Sequence, residues 1–180
     1  MHKQHGIRIG ISRCLLGEEV RFDGGHKRDS YIVEVLGKDF EWVPVCPEVE
    51  IGLGTPRESI QLVQTQMGIR LRGTQSKNDI TEVMQDYAKQ KILELERVAI
   101  HGFIFKKGSP SCGMKTVEIY DESGTAIGQG SGMFADLLIQ CFPSLPVVDE
   151  EGLRNPAIRE DFLRRVLRYF EKRGLEAHDP

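Results

Sequence analysis

The run Val98–Phe105 (VAIHGFIF) is apolar at nearly every position, with His101 as its polar interruption. A strand with one wet face alternates polar and apolar residues. A run without alternation belongs to a strand covered on both faces, the pattern of parallel sheets in α/β proteins. The flanking segments agree. Ile7–Ser12 (IRIGIS) predicts a first strand, and Phe40–Val45 (FEWVPV) a second, with Pro44 near its end. Ile60–Gln66 and Ile69–Arg72 flank Met67-Gly68 and predict a β-hairpin, while Val117–Tyr120 and Val147-Val148 predict further short strands. Cys46–Arg57 reads as loop. Helices are expected over Arg28–Leu36, from a cap at Asn78 or Asp79 to about Glu96, over Met133–Cys141, and from Asn155 to Arg173. The longest two carry apolar residues at helical spacing, Ile80, Met84, Ala88 and Leu95 in one and Ile158, Phe162, Val166 and Phe170 in the other. Strands alternating with helices predict an α/β fold with a mainly parallel sheet flanked by helices. Such sheets place ligands beyond the C-terminal ends of their strands, where strand order reverses.

Three cysteines fall where that rule puts a ligand. Cys14 lies two residues after the first strand, Cys46 directly follows the second, and Cys112 sits in the loop Lys106–Gly113 after the apolar run. Each stands among small and polar residues: Ser12-Arg13-Cys14, Cys46-Pro47-Glu48 and Ser109-Pro110-Ser111-Cys112-Gly113. Core thiols sit inside apolar runs instead. Cys141, near the end of an apolar helix, is expected to be a buried small hydrophobe. Arg13, Lys106 and Lys107 are expected to favour the thiolates that bind metal.

Composition narrows the class. Among 180 residues, 39% are hydrophobic and 28% charged, enough apolar material for a core without disulfide or metal staples. A net charge of -3 argues against a general nucleic-acid binder. No apolar run is long enough to span a membrane, and no apolar signal region precedes the first strand. A cytoplasmic location is therefore expected, where four cysteines point to metal or catalysis rather than disulfides. Zinc favours closely spaced C-x-x-C pairs, and this chain has none; the ferredoxin run is also absent. Three thiolates from separate loops fit three irons of a [4Fe–4S] cluster, the fourth iron remaining open as a Lewis acid. A three-cysteine zinc site with an open position is the alternative, and spacing does not separate the two.

The strings Ile11-Ser12-Arg13-Cys14-Leu15-Leu16-Gly17, Val20-Arg21-Phe22-Asp23-Gly24-Gly25, Val43-Pro44-Val45-Cys46-Pro47-Glu48, Thr55-Pro56-Arg57 and Lys107-Gly108-Ser109-Pro110-Ser111-Cys112-Gly113 resemble, in this order, the DUF523 family, whose characterised members are 2-thiouracil desulfurases. The resemblance runs from about Ile7 to Asp149. It implies a [4Fe–4S] cluster held by Cys14, Cys46 and Cys112, and removal of sulfur from a thiolated pyrimidine or related small thioamide without net redox change. Arg13 stands where many members have a small residue, and Val49–Gly54 departs from the family's usual wording. Residues 1–150 are thus expected to form the desulfurase domain. The tail 151–180 resembles the junction to a DUF1722 domain, or is a helix that packs on the sheet or on a second subunit of a homodimer.

Within that frame a base must activate water against the thiocarbonyl carbon. Glu48 is the first candidate, against a role in capping or in pairing with Arg57. Asp23 is the second, although Asp before Gly-Gly suits a turn; Glu50 is weaker. Ser109, Ser111 and the backbone N–H of Gly113 are candidate hydrogen-bond donors beside Cys112. Lys106, Lys107 and Arg57 could hold negative charge. Gly128-x-Gly130-x-Gly132 follows a turn, so it predicts close backbone approach before a helix, whose N–H groups could hold an anion, rather than a dinucleotide site. His101 is expected to be a satisfied core residue, and His26 a loop residue. The competing readings are a non-enzymatic iron–sulfur or redox-sensing module and a zinc-dependent hydrolase.

Overall fold

The structure, a computed structural model, describes residues 6–176. His2, His5 and His178 lie outside them. The strands are β1 (Arg8–Ser12), β2 (Glu41–Val45), β3 (Ile60–Thr65), β4 (Gly68–Gly73), β5 (Gly102–Phe105), β6 (Val117–Tyr120), β7 (Ala126–Gly130) and β8 (Val147–Asp149). The α-helices are α1 (Pro47–Glu50), α2 (Thr81–Arg97), α3 (Met133–Cys141) and α4 (Pro156–Glu176). The fold is α/β, with a wholly parallel four-stranded sheet in the order β2-β1-β5-β8. A second sheet, β4-β3-β6-β7, is mixed: two antiparallel hairpins joined by parallel pairing of β3 with β6.

Chain order explains the second sheet. Between β2 and β5 the chain makes the hairpin β3–β4 and then α2. Between β5 and β8 it makes the hairpin β6–β7 and then α3. Each crossover of the parallel sheet therefore carries a hairpin before its helix, and the two hairpins meet beyond the strand ends. Strand-length periodicity predicts the first hairpin but says nothing about which strands share a sheet. The glycine-dense segment proves to include β7, which runs to Gly130.

The parallel sheet is apolar on both faces. Phe103, Phe105 and Val45 pack with Ala88, Ile92 and Leu95 of α2 and Phe134, Ala135 and Leu138 of α3. Ile7, Ile9, Ile11, Ile104 and Val148 pack with Ile32, Leu36 and, from α4, Phe162 and Val166. Gly10 is required in β1, because a Cβ there would lie 2.3 Å from Cδ2 of Phe103. That ring is stacked on Phe105 with centroids 4.3 Å apart.

Several boundaries differ from expectation. The central strand starts only at Gly102, since α2 runs on to Arg97 and Ala99 then turns with a φ of +53°. Arg28–Leu36 is not a regular helix: a π turn, Tyr31–Val35, runs into a 3-10 turn, Leu36–Lys38. The expected loop after Cys46 contains the single-turn helix α1, started by Pro47, whose fixed φ and missing N–H suit a first helical position. The N-cap of α2 is Ile80 rather than Asn78 or Asp79, although Asp79 beside it accepts the Thr81 N–H (3.0 Å); Asn155 caps α4 by accepting the Ala157 N–H (3.0 Å). Among the described residues no helix is long and apolar enough to cross a membrane.

Candidate active site

In sheet order, β1 is flanked by β2, which follows it in the chain, and by β5, which comes later. Strand order reverses at β1, and the crevice lies beyond its C-terminal end. The loops leaving β1, β2 and β5 each bring one cysteine there. Cys14 sits on the 3-10 turn Arg13–Leu16, Cys46 opens α1, and Cys112 lies in the loop after β5. All three line one cavity of about 710 Å³, walled on its far side by Gln61 of β3, Glu118 and Tyr120 of β6 and Gln129 of β7. Among the described residues, no three His, Cys, Asp or Glu side chains converge on a point where one metal ion could sit. The three thiols share that cavity, and thiolates are the ligands that hold iron–sulfur clusters.

Burial controls these sulfurs. It pushes the Cys14 thiol up to about 11, outweighing the pull of Lys106 and Arg21 in the other direction. It also raises Cys46, and raises the fully enclosed Cys112 further still. Lys106 lowers Cys14 and Arg13 lowers Cys46, the direction expected of these cations, but burial outweighs both. Loss of solvent is the larger effect, so metal binding must itself displace the protons. Lys106 is also committed elsewhere: its ammonium pairs with the buried Glu150 carboxylate at 2.5 Å. Lys107 pairs with Glu151, also at 2.5 Å.

The loop after β2 and the loop after β5 meet at a hydrogen-bonded row. The Ser111 hydroxyl donates to Oε1 of Glu48 (2.7 Å) and lies 3.1 Å from the Ser109 hydroxyl. Oε2 of Glu48 takes the Arg57 guanidinium, with Nε at 3.1 Å and a second, closer contact from the other edge nitrogen. Side-chain exposure is 6% for Arg57 and 13% for Glu48, so the pair is shielded from solvent screening. Arg57 is fixed in turn by the carbonyls of Val20 (3.0 Å) and Gly54 (2.7 Å). Glu48 thus makes the expected ion pair while still lining the cavity. Ser109 accepts the N–H groups of Ser111 (3.3 Å) and Cys112 (3.1 Å), which shapes the loop around the third cysteine.

Other candidates fall outside this row. Asp23 does not line the cavity; its carboxylate accepts the Gly25 N–H (3.0 Å) and lies 3.4 Å from Arg21, the turn role its sequence context suggests. Glu50 reaches back to the Cys46 N–H (2.9 Å) and pairs with Lys91 of α2 (2.8 Å), so it holds α1 in place. The Gly113 N–H is not free, because it donates to the Ser109 carbonyl (2.7 Å). The first amides of α3 are likewise engaged, Met133 to Pro110 and Ala135 to Ser111, both at 3.0 Å. Gly132 permits this approach, as a Cβ there would lie 2.5 Å from the Ser111 carbonyl carbon. The glycines thus serve loop packing rather than anion binding. His26 is exposed and accepts the Arg28 N–H (3.1 Å). His101 is buried and accepts the Arg8 N–H (3.1 Å) at the opposite end of the sheet. Cys141 is exposed rather than buried, since it ends α3 beyond the edge of the core. Arg13 lines the cavity and pairs with Glu18 (2.6 Å).

Two features of the site have no signal in one sequence. Arg21 belongs to a quoted motif, yet only the fold turns it toward the cavity beside Cys14. The polar wall of Gln61, Tyr120 and Gln129 depends on how the hairpins join.

Comparison with known proteins agrees with this geometry. A family model described as 2-thiouracil desulfurase matches residues 9–150. YbbK of Bacillus subtilis (strain 168), an uncharacterized protein, is 32% identical over 137 residues, covering 73% of this chain and 89% of that relative. The solved structure of TudS, a [4Fe-4S]-dependent thiouracil desulfidase, matches with a TM-score of 0.69 at 29% identity, over 86% of this chain and 98% of that one.

Proposed function

We propose, since this chain belongs to the 2-thiouracil desulfurase family, that it removes sulfur, as sulfide, from a thiolated pyrimidine such as 2-thiouracil or a related small thioamide. The reaction is a hydrolysis: water replaces the thiocarbonyl sulfur, leaving a carbonyl and hydrogen sulfide, with no net change in oxidation state. Residues 1–150 carry the activity, and the tail 151–180 contributes the helix that covers the sheet's second face.

The observation that carries this reading is the ring of three cysteines, each on the loop leaving an adjacent strand, around a cavity that also holds Glu48. Cys14, Cys46 and Cys112 would hold a [4Fe–4S] cluster. Such a cluster with three protein thiolates supplies an open iron, a soft Lewis acid matched to a thiocarbonyl sulfur. Glu48 takes the proton from the attacking water, and Arg57 holds its carboxylate at the cavity edge. Ser111, already donating to Glu48, relays or positions that proton, and Ser109 keeps the Ser111 hydroxyl oriented. The wall of Gln61, Tyr120 and Gln129 closes over the ring of the substrate.

Anaerobic reconstitution tests this directly. The expected result is about four irons and acid-labile sulfides per chain, with sulfide release from 2-thiouracil that is lost in Cys14→Ala. Zinc uptake, or release of sulfide by metal-free protein, would overturn it.

A further inference from the structure

We propose that Phe22 is the surface against which the substrate's flat heteroaromatic ring stacks, and that it thereby sets affinity for ring-shaped thioamides. The inference rests on the desulfurase reading above and deepens it. Phe22 is the one exposed aromatic ring among the described residues, at 41% exposure. Among those residues it joins none of the three apolar clusters that make the core. A lone exposed apolar side chain elsewhere on the surface would need no explanation. Phe22 instead lines the cavity that the three cysteines share.

The backbone fixes the place of this ring. The Gly24 N–H donates to the Arg21 carbonyl (3.0 Å) and the Arg21 N–H to the Gly25 carbonyl (3.1 Å), which closes a turn with Phe22 near its tip. The Phe22 carbonyl accepts the Arg57 N–H (2.8 Å), so the turn is tied to the same residue that holds Glu48. The Arg21 guanidinium lies over the Phe22 ring, 5.4 Å from its centre. A ring anchored through its backbone, with a cation over one face, keeps the other face for a ligand. A pyrimidine thioamide has polar edges and apolar faces. Gln61, Glu118 and Gln129 on the far wall offer hydrogen-bonding groups suited to the edges. The faces call for an aromatic partner, and stacking on one is tolerant of which base is bound. Holding the face fixes the plane of the ring; the edge contacts then fix the direction of its thiocarbonyl.

Three variants test this: Phe22→Ala, Phe22→Leu, which keeps apolar bulk without a ring, and Phe22→Tyr. Each is reconstituted anaerobically and measured for iron content, melting temperature, sulfide release from 2-thiouracil, and inhibition by uracil, which presents the same ring without the reacting sulfur. The expected result is that all three load iron and melt as wild type does, because the ring lies outside the core. Phe22→Ala and Phe22→Leu should raise the 2-thiouracil KM and the uracil inhibition constant together, by about 5- to 100-fold, with kcat little changed, and Phe22→Tyr should restore both. Unchanged constants in Phe22→Ala, or a Phe22→Leu variant as good as Phe22→Tyr, overturn the stacking role and leave the desulfurase reading standing. Loss of iron in Phe22→Ala assigns the ring to the folding of the segment that follows Cys14, and overturns it too. No sulfide release by iron-loaded wild type overturns the desulfurase reading, and this inference with it.

Discussion

The two ends of the parallel sheet use buried polar groups in opposite ways. At the N-terminal end of the strands, His101 is enclosed, accepts the Arg8 N–H and meets the edge of Phe170, with ring centroids 4.9 Å apart. A small cavity of about 250 Å³ opens at this end, lined by Glu96, Phe142, Ser144, Tyr169, Lys172 and Arg173, but His101 is not among its lining residues. At the C-terminal end, the three thiols, the Glu48 carboxylate and the Ser109 and Ser111 hydroxyls are among the groups that line open space. One end spends its polar groups on the backbone, and the other presents them to a ligand. The difference teaches that burial alone does not mark a functional site; what marks it is buried polarity facing a cavity.

If this division holds, substitutions at the two ends should have separable effects. The largest belongs to the cysteines. Cys46→Ala and Cys112→Ala should lose all bound iron, whereas Cys141→Ala should keep it; iron analysis decides, and iron loss in Cys141→Ala would break the ligand assignment. Next comes Glu48→Gln, which should retain the cluster but reduce sulfide release about 100- to 10,000-fold. Unchanged turnover would remove Glu48 from the chemistry.

At the opposite end the readout is stability against pH. Burial depresses His101 to about 4, against an ordinary 6.5. The unfolded chain therefore binds this proton before the folded chain does. Stability is full above about pH 6.5 and is lost as pH falls towards 4, by up to about 3 kcal/mol. In His101→Gln, denaturant titrations should show a flatter acid limb, with sulfide release at neutral pH unaffected. A pH dependence identical to wild type would show that His101 is not buried as a neutral ring.

A smaller effect tests whether the functional end also contains structural parts. Gly132→Ala forces a Cβ into the Ser111 backbone and should cost about 1–3 kcal/mol, while Gly128→Ala meets nothing within 4 Å and should be close to neutral. Smallest of all, Asp23→Asn should leave turnover at the wild-type level, since its carboxylate serves the turn.

Much of this was legible in the chain. The non-alternating run ending at Phe105 reveals a two-sided sheet, and cysteines immediately after strands reveal the edge that binds. Glu48 is found because it sits two residues from Cys46. What escapes is what depends on distant partners. Lys106 reads as a free cation until Glu150, far along the chain, is seen to pair with it. The pull of Arg13 and Lys106 towards thiolates is legible, but its outcome is not: neighbours in sequence supply charge, while the larger effect of burial comes from the whole fold. The Gly113 and α3 amides look available until Gly132 brings the two segments together.

The hairpins that form the second sheet hang on the crossovers, outside the sheet that carries the cysteines. Ile60, Leu62, Leu71 and Val117 pack with Met84 of α2 and hold the hairpins in place, so the residues on the cavity side can vary while that cluster stays fixed. The cavity is thus divided between a floor that must be inherited intact and a wall that is free to diverge. Relatives could keep one chemistry while exchanging the molecules it is applied to, and swapping hairpins between them should transfer preference without rebuilding the catalyst.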